Sequence, residues 1–353
     1  SSAASDVYKR QGQNPYLVTP SAYYRADELD GVPWGSQTSA YGPLALHFFA
    51  LASVMGGSWI GGFWLLRVFM ALPWLLILIL LSRSDGDRAP PLLFLAASPL
   101  LLLEIVQGGH VDGWVGVLLV VVCAMARRER MTPIGRTILV LSLAAAISLK
   151  LSTVVVTGAV FVHLARRPRW GWRGASLGLA ATLALVVLIW LPLWAGPQSL
   201  DGLRQESGKV LQSLFQILRV PGDAASPIAT AGSVFALVFG MYLAARGWSL
   251  ALACMVALIL QAVIGRTFLQ PWYFVPVIML GGWALLEQQP GSRFARSLAD
   301  PLVLGIASVG LLFGGYGLVF ATRSVADPIQ TANVALMILP GLAAWFIVAR
   351  RLS

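Results

Sequence analysis

Charge is scarce in this chain. Asp, Glu, Lys and Arg make up 11% of its 353 residues, where a water-soluble domain carries roughly a quarter. So few charges cannot coat a soluble globule, and most of the surface must face lipid. Cysteine is scarcer still: Cys123 and Cys254 are the two present, and both lie inside apolar runs. That excludes a disulfide-stapled fold and a thiolate metal site, and leaves two buried thiols. Of the three histidines, His47 and His163 read as helix-face residues without a metal-ligand partner at suitable spacing. No CxxC, HExxH, P-loop or strand-borne GxGxxG appears, so neither a metal, a nucleotide fold nor another cofactor is expected.

What the chain does have is apolar sequence. Hydrophobic residues make up 58% and the mean hydropathy is +0.77. Thirteen Trp, 35 Gly and 20 Pro are types common in or beside membrane helices. The net charge of +10 would suggest a nucleic-acid partner in a soluble protein. Here the basic residues sit in short loops between apolar runs, so they read as topology signals and no nucleic acid is expected. Apolar runs near 58–82, 90–106, 108–126, 136–150, 151–165, 174–194, 228–245, 247–265, 272–288, 301–321 and 333–350 predict an all-α, polytopic transmembrane helical bundle of about 11 spans. The two runs meeting at Lys150 read as a broken pair or a re-entrant hairpin. Residues 43–54 are apolar but short and suit a helix lying in the interface.

Residues 1–57 form an N-terminal external segment and residues 58–350 the transmembrane domain, with an external loop at 195–227. The chain has no initiating Met, and its polar start, Ser1 to Gln11, resembles translated adapter sequence. That tract is set aside as a candidate foreign segment, and the chain reads as truncated at its N-terminus. In the 195–227 loop, Leu200, Leu203, Val210, Leu211, Leu214, Phe215 and Leu218 recur at helical spacing, with Arg204, Glu206 and Lys209 on the other side. This predicts an amphipathic surface helix, or an ordinary connecting one.

With the N-terminal segment outside and the spans alternating, one set of loops holds 15 cations. These include Arg127, Arg128, Arg130 and Arg136, and Arg166, Arg167, Arg169 and Arg173. The opposite set, with Arg266, holds 8. The positive-inside rule assigns the richer set to the cytoplasm.

Ionisable groups at membrane depth are costly and usually functional. The run LLLEIVQGGHVDGW, residues 101–114, places Glu104, His110 and Asp112 beside Gly108 and Gly109 where two apolar runs meet. They read as catalytic candidates, or as a polar turn in which Asp112 caps the next helix. Lys150, alone between LSLAAAIS and LSTVVV, must snorkel or find an anion, either a phosphate or an acidic side chain. In GRTFLQPWYF, residues 265–274, Arg266 is cationic, Gln270 can bind a sugar hydroxyl, and Trp272 and Tyr273 offer flat faces to a sugar or an isoprenoid. An aromatic belt with an anchoring arginine is the plainer reading. The external segment adds Asn14 and Tyr16 in NPY, Tyr41 in YGPL, and the acids Asp27, Glu28 and Asp30.

The succession GQNPY, YGPL, SPLLLLEIVQGGHVDGW, ISLKLS and QPWYF resembles the bacterial polyprenol-phosphate-mannose-dependent mannosyltransferases of the GT-C class, over most of residues 12–288. The resemblance implies transfer of a sugar, expected to be mannose, from a polyprenol-phosphate donor to a glycan or glycolipid acceptor. The reaction would run on the non-cytoplasmic face of a bacterial plasma membrane. Asp112, His110 and Glu104 would be catalytic, and Lys150 and Arg266 would bind the donor phosphate. Asn14, Tyr16, Tyr41, Gln270, Trp272 and Tyr273 would bind substrate. The family's first membrane helix, and the acid that follows it, have no counterpart here, and Gln270 stands where many relatives have His. The competing expectations are a transporter or flippase of lipid-linked sugars, which should show two repeated halves, and a non-catalytic membrane partner.

Overall fold

A computed structural model describes residues 13–22, 35–83, 92, 95–96, 98–107, 109–128, 131–207, 213, 215, 218–267 and 270–287. The runs 301–321 and 333–350, the tract 1–11, and Gly108, Asp27, Glu28 and Asp30 lie outside the described residues. Every regular element among the described residues is helical. Helix α1 is Pro43–Gly56 and α2 is Trp59–Ser82. A short helix, Pro99–Leu101, then runs into a π-helical turn, Leu102–Gln107. Next come α3, Asp112–Arg127, and α4, Pro133–Leu149. A 3-10 stretch, Leu151–Val156, leads to α5, Thr157–Ala165, and then α6, Gly171–Trp190. The remaining helices are α7, Asp201–Ser207, α8, Gly222–Ala245, α9, Leu250–Val263, and α10, Val275–Glu287.

Local chemistry sets several boundaries. Gly57, at φ +66°, ends α1 in the left-handed region, and the next residue, Ser58, caps α2 through the Gly61 N–H at 3.0 Å. Thr132 caps α4 with Pro133 as its first residue, and Ser249 caps α9. Helix α4 stops at Lys150, which adopts an extended conformation and breaks the run in two.

Among the described residues, three helical stretches are long and apolar enough to cross a membrane: Ile60–Ser82, Gly171–Leu193 and Gly222–Ala245. Helix α6 shows why water cannot be their solvent. Leu177 is 72% exposed, and Val187 and Leu188 point outward with it. A continuous apolar face of this kind needs lipid or a partner. Helix α1 is not free on a surface: it packs on α2 and α4 and buries Leu46 and Phe49. Small residues let the helices close up, as membrane helices require in the absence of a hydrophobic drive between them. Gly116 of α3 meets Met279 of α10, Gly158 of α5 meets Met241 of α8, and Gly240 of α8 meets Ala257 of α9.

The chain turns back on itself around Lys150, making a hairpin of the broken pair. The Arg136 guanidinium, at the start of α4, lies 5.3 Å over the Trp170 ring, just past the end of α5. Helix α3 therefore has two distinct ends. Its first residue, Asp112, bonds Lys150, and Arg128, just past its last, shares a cavity with Arg167 and Arg169. Sixteen helical residues at 1.5 Å each separate these ends by about 24 Å. At the arginine end, Arg166 Nη1 also donates to the Ala244 carbonyl at 2.9 Å, bringing in the end of α8.

Candidate active site

The site forms at the Asp112 end of the bundle, from four stretches of chain. The π-helical turn carrying Glu104 closes on Gly109, whose φ of +67° is a conformation that favours glycine. The His110 N–H donates to the Glu104 carbonyl at 3.1 Å, and His110 Nε2 lies 3.4 Å from Glu104 Oε2. A π turn adds one residue to the helical repeat and is often found at functional sites. Here it turns Glu104 inward, where it is buried, and sets His110 beside α3.

Asp112 is the first residue of α3, but it is not a cap. The N-cap position falls to Val111, and no side chain caps the helix. Asp112 is 1% exposed, and its Oδ1 accepts from Lys150 Nζ at 2.5 Å. Its Oδ2 is buried without a hydrogen-bond partner. Breaking a buried ion pair is costly, yet such a pair contributes little net stability.

Tyr273 joins the two cations that the sequence places far apart. Lys150 Nζ and Arg266 Cζ each lie 4.1 Å from the centre of its ring. The Tyr273 hydroxyl donates to Glu206 Oε1 of α7 at 3.3 Å. Glu206 thus faces into the site rather than lying on the solvated side of an amphipathic helix. Asp112, Lys150, Arg266, Tyr273, Thr153 and Gln261 line a cavity of about 20 Å³, enough for one water. Gln261 Oε1 is a second buried acceptor without a partner there. Trp272 stacks on His110 with ring centres 4.2 Å apart, and Gln270, two residues before Trp272, is buried.

The N-terminal segment reaches the same end but is held by protein contacts. Asn14 Nδ2 donates to the Leu193 carbonyl at 2.8 Å, and its Oδ1 accepts from the Tyr16 N–H at 3.0 Å. Tyr16 is buried, stacks on Trp190 at 5.5 Å, and donates its hydroxyl to the Tyr41 carbonyl at 2.8 Å. Burial raises the Tyr16 pKa above the ordinary phenol value. Burial also raises that of Tyr41, with further contributions from the Asp112 and Glu206 carboxylates. Asn14 and Tyr16 thus tie the loop to the end of α6, and Tyr41 alone of the three senses the site's carboxylates. Gly42 comes so close to the Ser148 carbonyl that no Cβ fits between them, which presses the segment onto the chain just before Lys150.

Residues 109–111 form the turn between the π-helical turn and α3, outside both. Burial pushes the His110 pKa down to about 4, against an opposing pull from Asp112. The imidazole is therefore neutral at pH 7, and its 3.4 Å approach to Glu104 is not an ion pair. The unfolded chain takes up this proton near pH 6.5. Stability from neutral His110 is thus fully present above about pH 6.5 and lost as pH falls toward 4. The difference in thermal stability between the wild type and His110→Gln should be flat above neutrality and shrink on acidification. A difference that grows in acid would mean that Glu104 stabilises the imidazolium instead.

Among the described residues, no three His, Cys, Asp or Glu side chains converge as a metal ion would require. Cys123 and Cys254 are buried free thiols. Residues 2–166, just under half of the chain, match the alpha-(1->6)-mannopyranosyltransferase family over its N-terminal domain. The match begins within the polar tract 1–11 and takes in Glu104, His110, Asp112 and Lys150, while Glu206, Arg266 and Tyr273 lie beyond it. No curated protein and no solved structure matches the chain. The motif resemblance and the family match agree on a mannosyltransferase, which supports glycosyltransferase activity and implies a sugar donor and an acceptor.

Proposed function

We propose that the chain is a multi-pass GT-C-type mannosyltransferase of the bacterial plasma membrane. It would move mannose from a polyprenol-phosphate donor to a glycan or glycolipid acceptor on the non-cytoplasmic face. The observation that carries this reading is the Asp112–Lys150 pair beside Arg266 and Tyr273, at the end of the bundle opposite the arginine clusters. A lipid-phosphate sugar brings its own leaving group, so the protein has two tasks. It must take a proton from the acceptor hydroxyl, and it must stabilise the departing phosphate.

The Asp112 carboxylate suits the first task, through the oxygen that has no partner. The acceptor oxygen bonds to the sugar's anomeric carbon as the bond from that carbon to the phosphate oxygen breaks. The hydroxyl proton passes to the carboxylate, and the electron pair leaves with the phosphate. Lys150 and Arg266 suit the second task, as charge-assisted donors to phosphate oxygens. Glu104, through His110, would position the turn that carries Asp112, and Trp272 would hold the imidazole plane. Tyr41, Gln270 and Tyr273 remain candidates for substrate contact, with Asn14 and Tyr16 behind them. The basic loops would face the cytoplasm and the Asp112 end the outside, by the positive-inside bias.

The test uses the purified protein with polyprenol-phosphate mannose and a mannoside acceptor. A new mannosidic linkage is expected. Movement of the lipid-linked sugar across proteoliposomes without any new linkage would favour a flippase and overturn the reading.

A further inference from the structure

Two acceptor oxygens stand ready at the active site, and sugar transfer employs one of them. Asp112 Oδ2 and Gln261 Oε1 are both buried without a hydrogen-bond partner, and both residues line the cavity of about 20 Å³. A buried acceptor left unpaired costs free energy, so each one in a native fold calls for an explanation. Asp112 has one in the transfer reaction. Gln261 of α9 has none there, although it is only 8% exposed and shares the cavity with Lys150 and Arg266.

The Gln261 amide is built into place. Its Nε2 donates to the Gly265 carbonyl at 3.3 Å, and Ser233 Oγ of α8 donates to the same carbonyl at 3.2 Å. That bond occupies the nitrogen end of the amide and leaves the oxygen end for another donor. A Cβ at Gly265 would stand 2.7 Å from Gln261 Oε1, so a glycine there keeps room beside the oxygen. The cavity's 20 Å³ is close to the ~10–15 Å³ that admits one water, and is too small for a sugar ring.

A hydroxyl group has one hydrogen to give, and Asp112 takes it. A second acceptor in the same one-water space suits a nucleophile with two hydrogens. Water that donates to both Asp112 Oδ2 and Gln261 Oε1 keeps its lone pairs free for an electrophile. Lys150 and Arg266 line the same space, so a phosphate held by them would bring its sugar carbon to that water.

We propose that the site also hydrolyses its sugar donor, with Gln261 as the positioning residue for the attacking water. The inference rests on the transfer reading above and adds a second activity to it. The water oxygen bonds to the anomeric carbon as the bond from that carbon to the phosphate oxygen breaks. One water proton passes to the Asp112 carboxylate, and the electron pair leaves with the phosphate. The products are the free sugar and the polyprenol phosphate.

The purified full chain is incubated with polyprenol-phosphate mannose in water labelled with heavy oxygen, with and without a mannoside acceptor. Without acceptor, free mannose should appear. The polyprenol phosphate formed with it should carry no label, because the bond at carbon is the one that breaks. Gln261→Met keeps the length of the side chain and removes the acceptor oxygen. It should lower the ratio of mannose released to mannose transferred by about fivefold, the value of one neutral hydrogen bond. Gln261→Leu gives the same reading if the Met variant is not recovered folded. Labelled polyprenol phosphate, an unchanged ratio in a folded variant, or transfer with no free mannose overturns the proposal. Free mannose without any transfer would instead overturn the transfer reading and leave the hydrolysis standing.

Discussion

Asp112→Asn is expected to lower sugar transfer by roughly 10²-fold or more while leaving the protein folded. Asn preserves the volume of the side chain and an oxygen that can still accept from Lys150. It removes the negative charge and the basic oxygen. An Asp that merely caps a helix would tolerate this change, since Asn caps nearly as well. Asp112 does not cap, because the N-cap is Val111 and the carboxylate bonds Lys150 instead. The measurement is the initial rate of transfer by a monodisperse variant whose thermal unfolding matches that of the wild type. A near-normal rate would remove Asp112 from the mechanism.

Lys150 gives the second large effect, and two substitutions separate its roles. Lys150→Met leaves Asp112 buried and uncompensated, a change that costs about 3–5 kcal/mol in comparable buried pairs. Poor recovery of folded protein is the expected result. Lys150→Arg keeps the charge but replaces a compact ammonium with a planar fork. It is expected to fold and to raise the apparent KM for the lipid-phosphate donor by about 10- to 100-fold, the value of one strong charged hydrogen bond. Unchanged donor kinetics in a folded Lys150→Arg protein would reduce the residue to a partner of Asp112. The KM reading matters because a purely structural lysine would change stability and leave donor affinity alone.

Much of the site was legible in the sequence, for one physical reason. Ionisable groups inside apolar runs are expensive, and that cost pointed to Glu104, His110, Asp112 and Lys150 without any knowledge of contacts, while Arg266 stood out through its polar and aromatic neighbours in GRTFLQPWYF. The fold brings Asp112 and Lys150 into direct contact and sets Arg266 against the same tyrosine ring. Polarity alone could not show which way a residue faces when its helix looks amphipathic. Glu206 sits on what reads as a solvated side, yet its carboxylate accepts from the Tyr273 hydroxyl. Gln261 was hidden by its surroundings, since one amide in VALILQAV reads as part of a span. The π turn at Glu104 also escaped, because one extra residue in a short apolar run leaves no periodic trace.

Boundaries followed the same logic. Helix α8 begins at Gly222, ahead of the apolar run read from residue 228, because its first turns are polar yet still helical. The hairpin at Lys150 was one of two readings of the broken run. What selects it is the approach of Arg136 to Trp170, a contact between residues 34 apart in sequence.

The approach of Lys150 and Arg266 to the one Tyr273 ring also bears on how the protein is made. Lys150 leaves the ribosome roughly 120 residues before Tyr273, with Asp112 already made. At about 5–20 residues per second, that interval lasts on the order of 6–25 s. Through it, two charged side chains must wait in a half-assembled bundle without the aromatic ring that will later cover the lysine. Their pairing within one early hairpin lets the nascent chain carry both charges as a single neutral unit. Lys150→Met, which strands the Asp112 carboxylate, should therefore act first on membrane insertion, seconds before the finished site exists to be impaired.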